Sequence, residues 1–366
     1  MWHLEKPSKE ILDEYADLLI KGIKSRINDN QNTLEERNWG NYLLPSANGI
    51  DSDKFIREIL TAEPSNLIRL NNTHITELLR LSPNAVRTLG STYSLNDTDY
   101  KYYLTAKRRR KAGKRVGREK TVFDAFHPLF TYLYKIFDYN MVKDNEIGLH
   151  LAYIKKTNTC PYCNRAYTFV IGKKSKTGKN VSKIRPHFDH WFAHEQYPLL
   201  SISFYNLIPS CPTCNSSAKG ATTFALNTHI HPYETASANP NFRFCPILKY
   251  DESEHRTRWS VLLKRTVGSM EDNTIKSFWL DEIYEKHGEL EVKDIMDFAQ
   301  GNNVTYLKGL FKTICEDFKG ERSVGDVYRM LFGIEAEIDK TLNRPFSKLK
   351  RDILEGEGII IDINNP

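Results

Sequence analysis

The feature that most constrains this chain is a pair of knuckles, Cys160-Pro161-Tyr162-Cys163 and Cys211-Pro212-Thr213-Cys214. A CxxC turn presents two thiolates from one tight loop, and two such turns can complete the closed tetrahedral four-sulfur site that Zn²⁺ prefers. With 47 residues between Cys163 and Cys211, the metal would tie together both ends of the intervening segment. That helps a small, core-poor module to fold, since structural zinc in finger peptides is worth about 10–16 kcal/mol. A redox pair and four unrelated thiols are the other readings. Redox chemistry needs only one pair, and chance rarely puts proline after the first cysteine of both, so zinc is favoured. Cys245 and Cys315 have no cysteine nearby in sequence and read as small buried hydrophobes.

The chain has 366 residues, 40% of them hydrophobic and 11% aromatic, enough to bury a core and to form two or three folding units. Its opening MWHLEKPSKE carries charge where a secretory apolar region would lie, and no stretch has the apolar length to cross a bilayer. The expectation is a soluble, cytoplasmic protein with no membrane partner, in a compartment where CxxC pairs bind metal and do not form disulfides. Net charge is only +6, but it is concentrated. Residues 107–120, KRRRKAGKRVGREK, hold nine Lys or Arg against Glu119 alone, and a second cluster comprises Lys173, Lys174, Lys176, Lys179, Lys183 and Arg185. Such blocks attract phosphate backbones by releasing counterions. They suit a solvated loop or helix flank equally well.

Apolar periodicity predicts an α+β chain. Ile11, Tyr15, Leu18, Leu19 and Ile23 share a helical face, Phe55, Ile56, Ile59 and Leu60 begin another that Pro64 should end, and Val122 to Phe137 should be helix divided at Pro128. Residues 1–148 are therefore read as mainly helical, with the basic segment at 107–120. Residues 149–235 change to short apolar runs, prolines and turns, the texture of a hairpin-rich module. Residues 236–366 return to a mixed, mainly helical region: Trp259, Val261 and Leu263 alternate as a strand, Phe278 to Tyr284 and Val304 to Ile314 repeat as helices, and Ile359-Ile360-Ile361 suggests a terminal strand.

Between the knuckles Asp189 stands beside His190, Asn206 follows, and Asn215 comes directly after Cys214. A hard cation such as Mg²⁺ needs oxygen ligands, which Asp189 and the Asn215 side-chain carbonyl can supply. A neutral imidazole can take a proton from water at cellular pH. Asn206 suits a different task, bonding backbone groups across a hairpin to keep the loop after His190 in register. Adjacent strand residues point to opposite faces, so Asp189 and His190 can serve one phosphate together only if the strand end twists or bulges.

Taken together, CPYC, HFDHW and YNLIPSCPTCN followed by Lys219-Gly220, all within residues 160–220, resemble the HNH family of nucleases and its ββα-metal fold. The resemblance implies that His190 is the general base, that Asp189 and Asn215 hold a catalytic Mg²⁺ or Mn²⁺, that Asn206 fixes the loop, and that Cys160, Cys163, Cys211 and Cys214 bind structural Zn²⁺. Asn in place of the last His suits an oxygen-seeking ion. Lys219 lies four residues after Asn215, where the family often has its lysine at three. Lys219, Arg185, Arg108, Arg109 and Arg110 are the candidate nucleic-acid contacts, and His187 and His194 read as ordinary surface histidines. The module with helical flanks also resembles nucleases of bacterial anti-phage defence and mobile-element operons, often found beside an ATPase or sensor partner. The expectation is a zinc-stapled, metal-dependent endonuclease acting on DNA. The alternatives are a non-catalytic zinc-stabilised nucleic-acid-binding subunit and an RNA-directed nuclease.

Overall fold

The computed structural model describes residues 2–45, 53–109, 115–143, 146–174, 180–220, 222–234, 241–302, 304–317 and 323–359. Among them, helices predominate and three two-stranded antiparallel sheets are inserted between helical stretches, an α+β arrangement. No helix among the described residues is long and apolar enough to cross a membrane.

The N-terminal stretch contains α1 (Lys9–Asp29), α2 (Leu34–Leu43), α3 (Lys54–Thr61), α4 (Pro64–Arg80), α5 (Pro83–Leu89), α6 (Asp97–Arg108), α7 (Gly117–Ile136) and α8 (Glu146–Ile154). The stripe starting at Ile11 forms α1, which buries Tyr15, Leu19, Ile23 and Ile27. Two prolines act differently from expectation. α3 has already ended at Thr61, and Pro64 opens α4, where a missing amide hydrogen costs nothing and a fixed φ is preset for the helix. Pro128 lies inside an unbroken α7. The carbonyl it leaves unserved four residues back, on Asp124, accepts the Asn84 side-chain amide at 3.4 Å, which offsets part of the usual penalty.

Two hairpins follow, β1 (Ile171–Lys174) with β2 (Asn180–Ile184) and β3 (His187–His190) with β4 (Leu207–Ser210). A short helical turn, Thr213–Ala218, comes directly after β4 and packs on β3. The long hairpin of β5 (Phe242–Asp251) and β6 (Arg256–Arg265) contains the alternating Trp259, Val261 and Leu263. Of the stripe from Phe278 to Tyr284, Leu280, Ile283 and Tyr284 lie in α10 (Leu280–Glu285), while Phe278 caps the preceding α9 (Met270–Ser277), because Trp279 adopts a left-handed φ of 54° between the two helices. α11 (Lys293–Gly301), α12 (Val304–Asp317), α13 (Val324–Phe332) and α14 (Ser347–Gly356) complete the chain. Ile359 is buried, while Ile360 and Ile361 lie outside the described residues.

Buried side chains from all three stretches join one connected core. Backbone bonds lock them further: Trp2 N donates to Pro161 O (2.9 Å), Leu4 N to Pro232 O (2.9 Å), and Phe346 N to Asn164 O (2.7 Å). Two ionisable groups sit deep inside. Lys155 is 4% exposed, donates to the Tyr233 hydroxyl at 3.0 Å and lies 3.5 Å over the Phe204 ring. Burial holds its ammonium well below the ordinary lysine range. Burial, and then Lys155, holds the buried His231 well below the ordinary histidine range. In both cases the unfolded chain binds a proton that the native one refuses, so stability rises with pH: for His231 up through about 6.5, for Lys155 up toward about 10.4. Thermal melts should therefore show the protein more stable at pH 9 than at pH 6, and Lys155→Met, which keeps the apolar stem, should flatten that slope. An unchanged slope in the variant would show that Lys155 is not desolvated as described.

Candidate functional site

The knuckles come first, because they set the frame. The four Sγ atoms are buried and lie within 4.8 Å of one another, with Cys163 and Cys211 at 4.0 Å. A disulfide needs about 2.05 Å, whereas a tetrahedral Zn–S distance of about 2.3 Å puts sulfurs about 3.8 Å apart. The cluster can hold a structural metal such as zinc. The four thiols crowd one another: bonds from the neighbouring cysteines hold the Cys211 thiol below the ordinary range, while burial pushes the Cys160 thiol up. A dication would resolve that crowding by taking all four as thiolates.

Between the knuckles, β3 and β4 pair without a bulge, His187 opposite Ser210, Phe188 opposite Pro209, Asp189 opposite Ile208 and His190 opposite Leu207. In this regular register Asp189 and His190 face opposite sides. Asp189 is buried, and its Oδ2 accepts from the Tyr162 hydroxyl and from Lys219 Nζ, both at 2.7 Å. Tyr162 comes from the first knuckle and Lys219 follows the second. Lys219 also donates to the carbonyls of His190 (2.5 Å) and Trp191 (3.4 Å). Burial pulls its ammonium below the ordinary lysine range, and Asp189 opposes that shift. Asn215, one helical turn before Lys219, is not in this cluster: its amide lies 3.3 Å from Nδ1 of the exposed His187. His187 and Asp189 share a face of β3 one repeat apart, about 7 Å along the strand. Asp189 and Asn215 thus lie along one face but without contact.

On the other face His190 Nε2 lies 2.8 Å from the Ser201 carbonyl oxygen. A carbonyl only accepts, so in the neutral ring the hydrogen is on Nε2 and Nδ1 keeps its lone pair. The ring packs edge-on against Tyr139 (4.8 Å) and lies 4.8 Å from the solvent-exposed His194. Burial, then the His194 charge, lowers the His190 pKa to about 3. The Ser201 carbonyl is fixed in turn by Asn206. The Asn206 Oδ1 accepts from Phe192 N (2.7 Å), and its Nδ2 donates to Phe192 O (3.1 Å) and Leu200 O (2.8 Å). The N-terminal helices grip the same loop, Tyr15 OH donating to Ile202 O and Ser203 Oγ to Ile59 O.

Among the candidate nucleic-acid contacts, Lys219 needs correction. Its side chain is 3% exposed and engaged by Asp189, so it cannot reach a phosphate as placed. Arg185 lies over the Phe188 ring at 5.2 Å and donates to Pro186 O at 3.0 Å. Arg108 is exposed on the last turn of α6, Arg109 pairs with Glu119 at 3.1 Å, and Arg110 lies outside the described residues, as do Lys176 and Lys179. Tyr162, Ser201 and Tyr139 are the contacts that sequence reasoning missed. Only Tyr162 had a signal, its place inside a knuckle.

Breaking a buried pair leaves one charge uncompensated, at a cost of about 3–5 kcal/mol. Lys219→Met should lower stability by about that much in denaturant unfolding, and adding Asp189→Asn to it should recover part of the loss. Additive or negligible losses would show that the two groups do not pair. No protein-family model matches the chain, and neither does any curated protein or solved structure.

Proposed function

We propose that the chain is a metal-dependent endonuclease of the HNH type, hydrolysing phosphodiester bonds in DNA, in the setting of anti-phage defence that the resemblance suggests. The observation that carries this reading is the His190 imidazole, oriented by the Ser201 carbonyl through a loop that Asn206 fixes, beside a four-cysteine cluster. The order hairpin β3–β4, then a helical turn at Thr213–Ala218 packed on β3, supports the ββα reading.

In this reading Nδ1 of His190 takes the proton from a water aligned with the scissile phosphorus. The ring is neutral at any working pH, and an arriving phosphate anion raises its basicity. Asn206 and Ser201 keep the ring from turning, and Tyr162 and Lys219 hold the Asp189 carboxylate in one orientation. The donors suit an oxygen-seeking ion: a carboxylate on Asp189 and an amide on Asn215 along one face of β3, the carboxylate now balanced by Lys219. A divalent ion bound there would stabilise charge on the phosphate and on the leaving 3′ oxygen once substrate binding twists the end of β3 so that both faces reach one phosphate. The products would carry 5′ phosphate and 3′ hydroxyl ends.

One observation favours a second reading, a zinc-stabilised nucleic-acid-binding subunit without catalysis: Asp189 is already paired with Lys219 and faces away from His190. Purified protein with supercoiled DNA, linear DNA or RNA, each with Mg²⁺ or Mn²⁺ and with chelator, separates the two. The nuclease should cut DNA only with the divalent ion, and His190→Ala should slow cutting by about 10²-fold or more while keeping zinc and the far-UV spectrum. Full activity in that variant ends the assignment, and salt-sensitive binding without cleavage selects the second reading.

A further inference from the structure

The α6–α7 surface beside His190 holds an open groove of about 650 Å³. Its rim carries Arg26, Lys107 and Lys135 against two acids, Asp138, which faces Arg26 at 3.3 Å, and Glu195, which faces Lys107 at 3.8 Å. The surplus of positive charge is therefore local to the groove, unlike the modest charge of the whole chain. The groove is joined to the imidazole by a short series of contacts. Lys107 lies over the Tyr134 ring at 5.1 Å, Tyr134 is 6.4 Å from the His194 ring, and His194 is 4.8 Å from His190. Two bonds keep this path in place: the Tyr134 hydroxyl donates to Glu195 O at 2.8 Å, and Lys107 pairs loosely with the Glu195 carboxylate at 3.8 Å.

A basic last turn on α6 is also what a helix C-terminus favours by itself, since cations there offset the exposed carbonyls. Arg26, Lys107 and Lys135 each sit in the last turn of their own helix, α1, α6 and α7, so helix ends account for each cation singly; what the three share is that they line the same concavity. Cations brought together from three helices, in a trough linked through Tyr134 and His194 to an oriented imidazole, match a polyanion better than a single small anion. Lys135 is exposed and Lys107 half-buried, so both ammonium groups can be reached from solvent.

We propose that this groove is the path of the nucleic-acid backbone, with Lys107 and Lys135 neutralising phosphates next to the one presented at His190. The inference rests on the nucleic-acid reading above but does not need cleavage. Lys219, buried under Asp189, takes no part; the groove supplies the phosphate contacts that residue was expected to make.

The test uses the full-length protein carrying His190→Ala, so that substrate survives, with a short labelled DNA duplex and the matching single strand. Affinity is measured by anisotropy between about 50 and 200 mM salt. Lys107→Gln with Lys135→Gln should weaken binding at least tenfold at the lower salt and reduce the slope of log affinity against log salt by about 1.8, two phosphates' worth. Lys107→Glu with Lys135→Glu should weaken it further. Lys249→Glu, on the remote β5, should leave both quantities unchanged, and zinc content and far-UV spectra should match the parent in every variant. Parental affinity and slope in the groove variants would overturn the proposal, as would equal losses from Lys249→Glu. If the wild-type protein cuts DNA while the groove variants bind like the parent, only the groove is refuted. If it never cuts but the groove variants lose binding, the groove stands and the nuclease falls.

Discussion

Four sulfur atoms crowded into one buried space are the constraint on which the rest of this protein depends. Their spacing is right for coordination and wrong for disulfides. Each knuckle does more than supply ligands. The first sends Tyr162 to Asp189 and stacks the same ring on Phe278 at 4.2 Å. It also places Asn164 in a left-handed turn, φ 45°, from which its amide donates to Thr159 Oγ1 and to the carbonyls of Thr341 and Arg344. Tyr284 of α10 donates to the Cys163 carbonyl. The second knuckle leads into the turn that brings Lys219 back to Asp189. A metal in the cluster would therefore hold the β3–β4 hairpin and dock the C-terminal helices in one stroke.

The two sides of β3 are built on different physics. Toward the knuckles, Asp189 and Lys219 form a buried charge pair that the Tyr162 hydroxyl joins at Oδ2, an arrangement that specifies one geometry more than it adds stability. Toward the N-terminal helices, His190 is held by the Ser201 carbonyl on Nε2 and by ring contacts with Tyr139 and His194. The basic groove is linked to the imidazole on that same side, through Tyr134 and His194.

Much of this was legible in the sequence, for identifiable reasons. The tetrad follows from spacing alone, and the role of Asn206 follows from an amide's capacity to serve both partners of a hairpin loop. The helical stripes of α1 and α3 and the alternation in β6 were local patterns and could be read locally. Pro128 could not, because Asn84, which serves the freed Asp124 carbonyl, is 40 residues away in sequence from that carbonyl. The break at Trp279 depends on a backbone conformation that a large aromatic rarely adopts. Lys219 was read as a phosphate contact because the family that the motifs resemble often has a lysine shortly after its final His or Asn, and its real target lies across the hairpin, 30 positions away. Whether Asp189 and His190 would converge hinged on one bulge, which no residue type announces.

The most direct measurement is X-ray absorption at the zinc edge, with metal analysis, on the purified full-length protein. The expected result is one zinc per chain with four sulfur neighbours at about 2.3 Å. A protein that is folded and free of metal, or one whose metal is bound by nitrogen and oxygen in place of sulfur, would contradict the four-cysteine staple and the frame built on it.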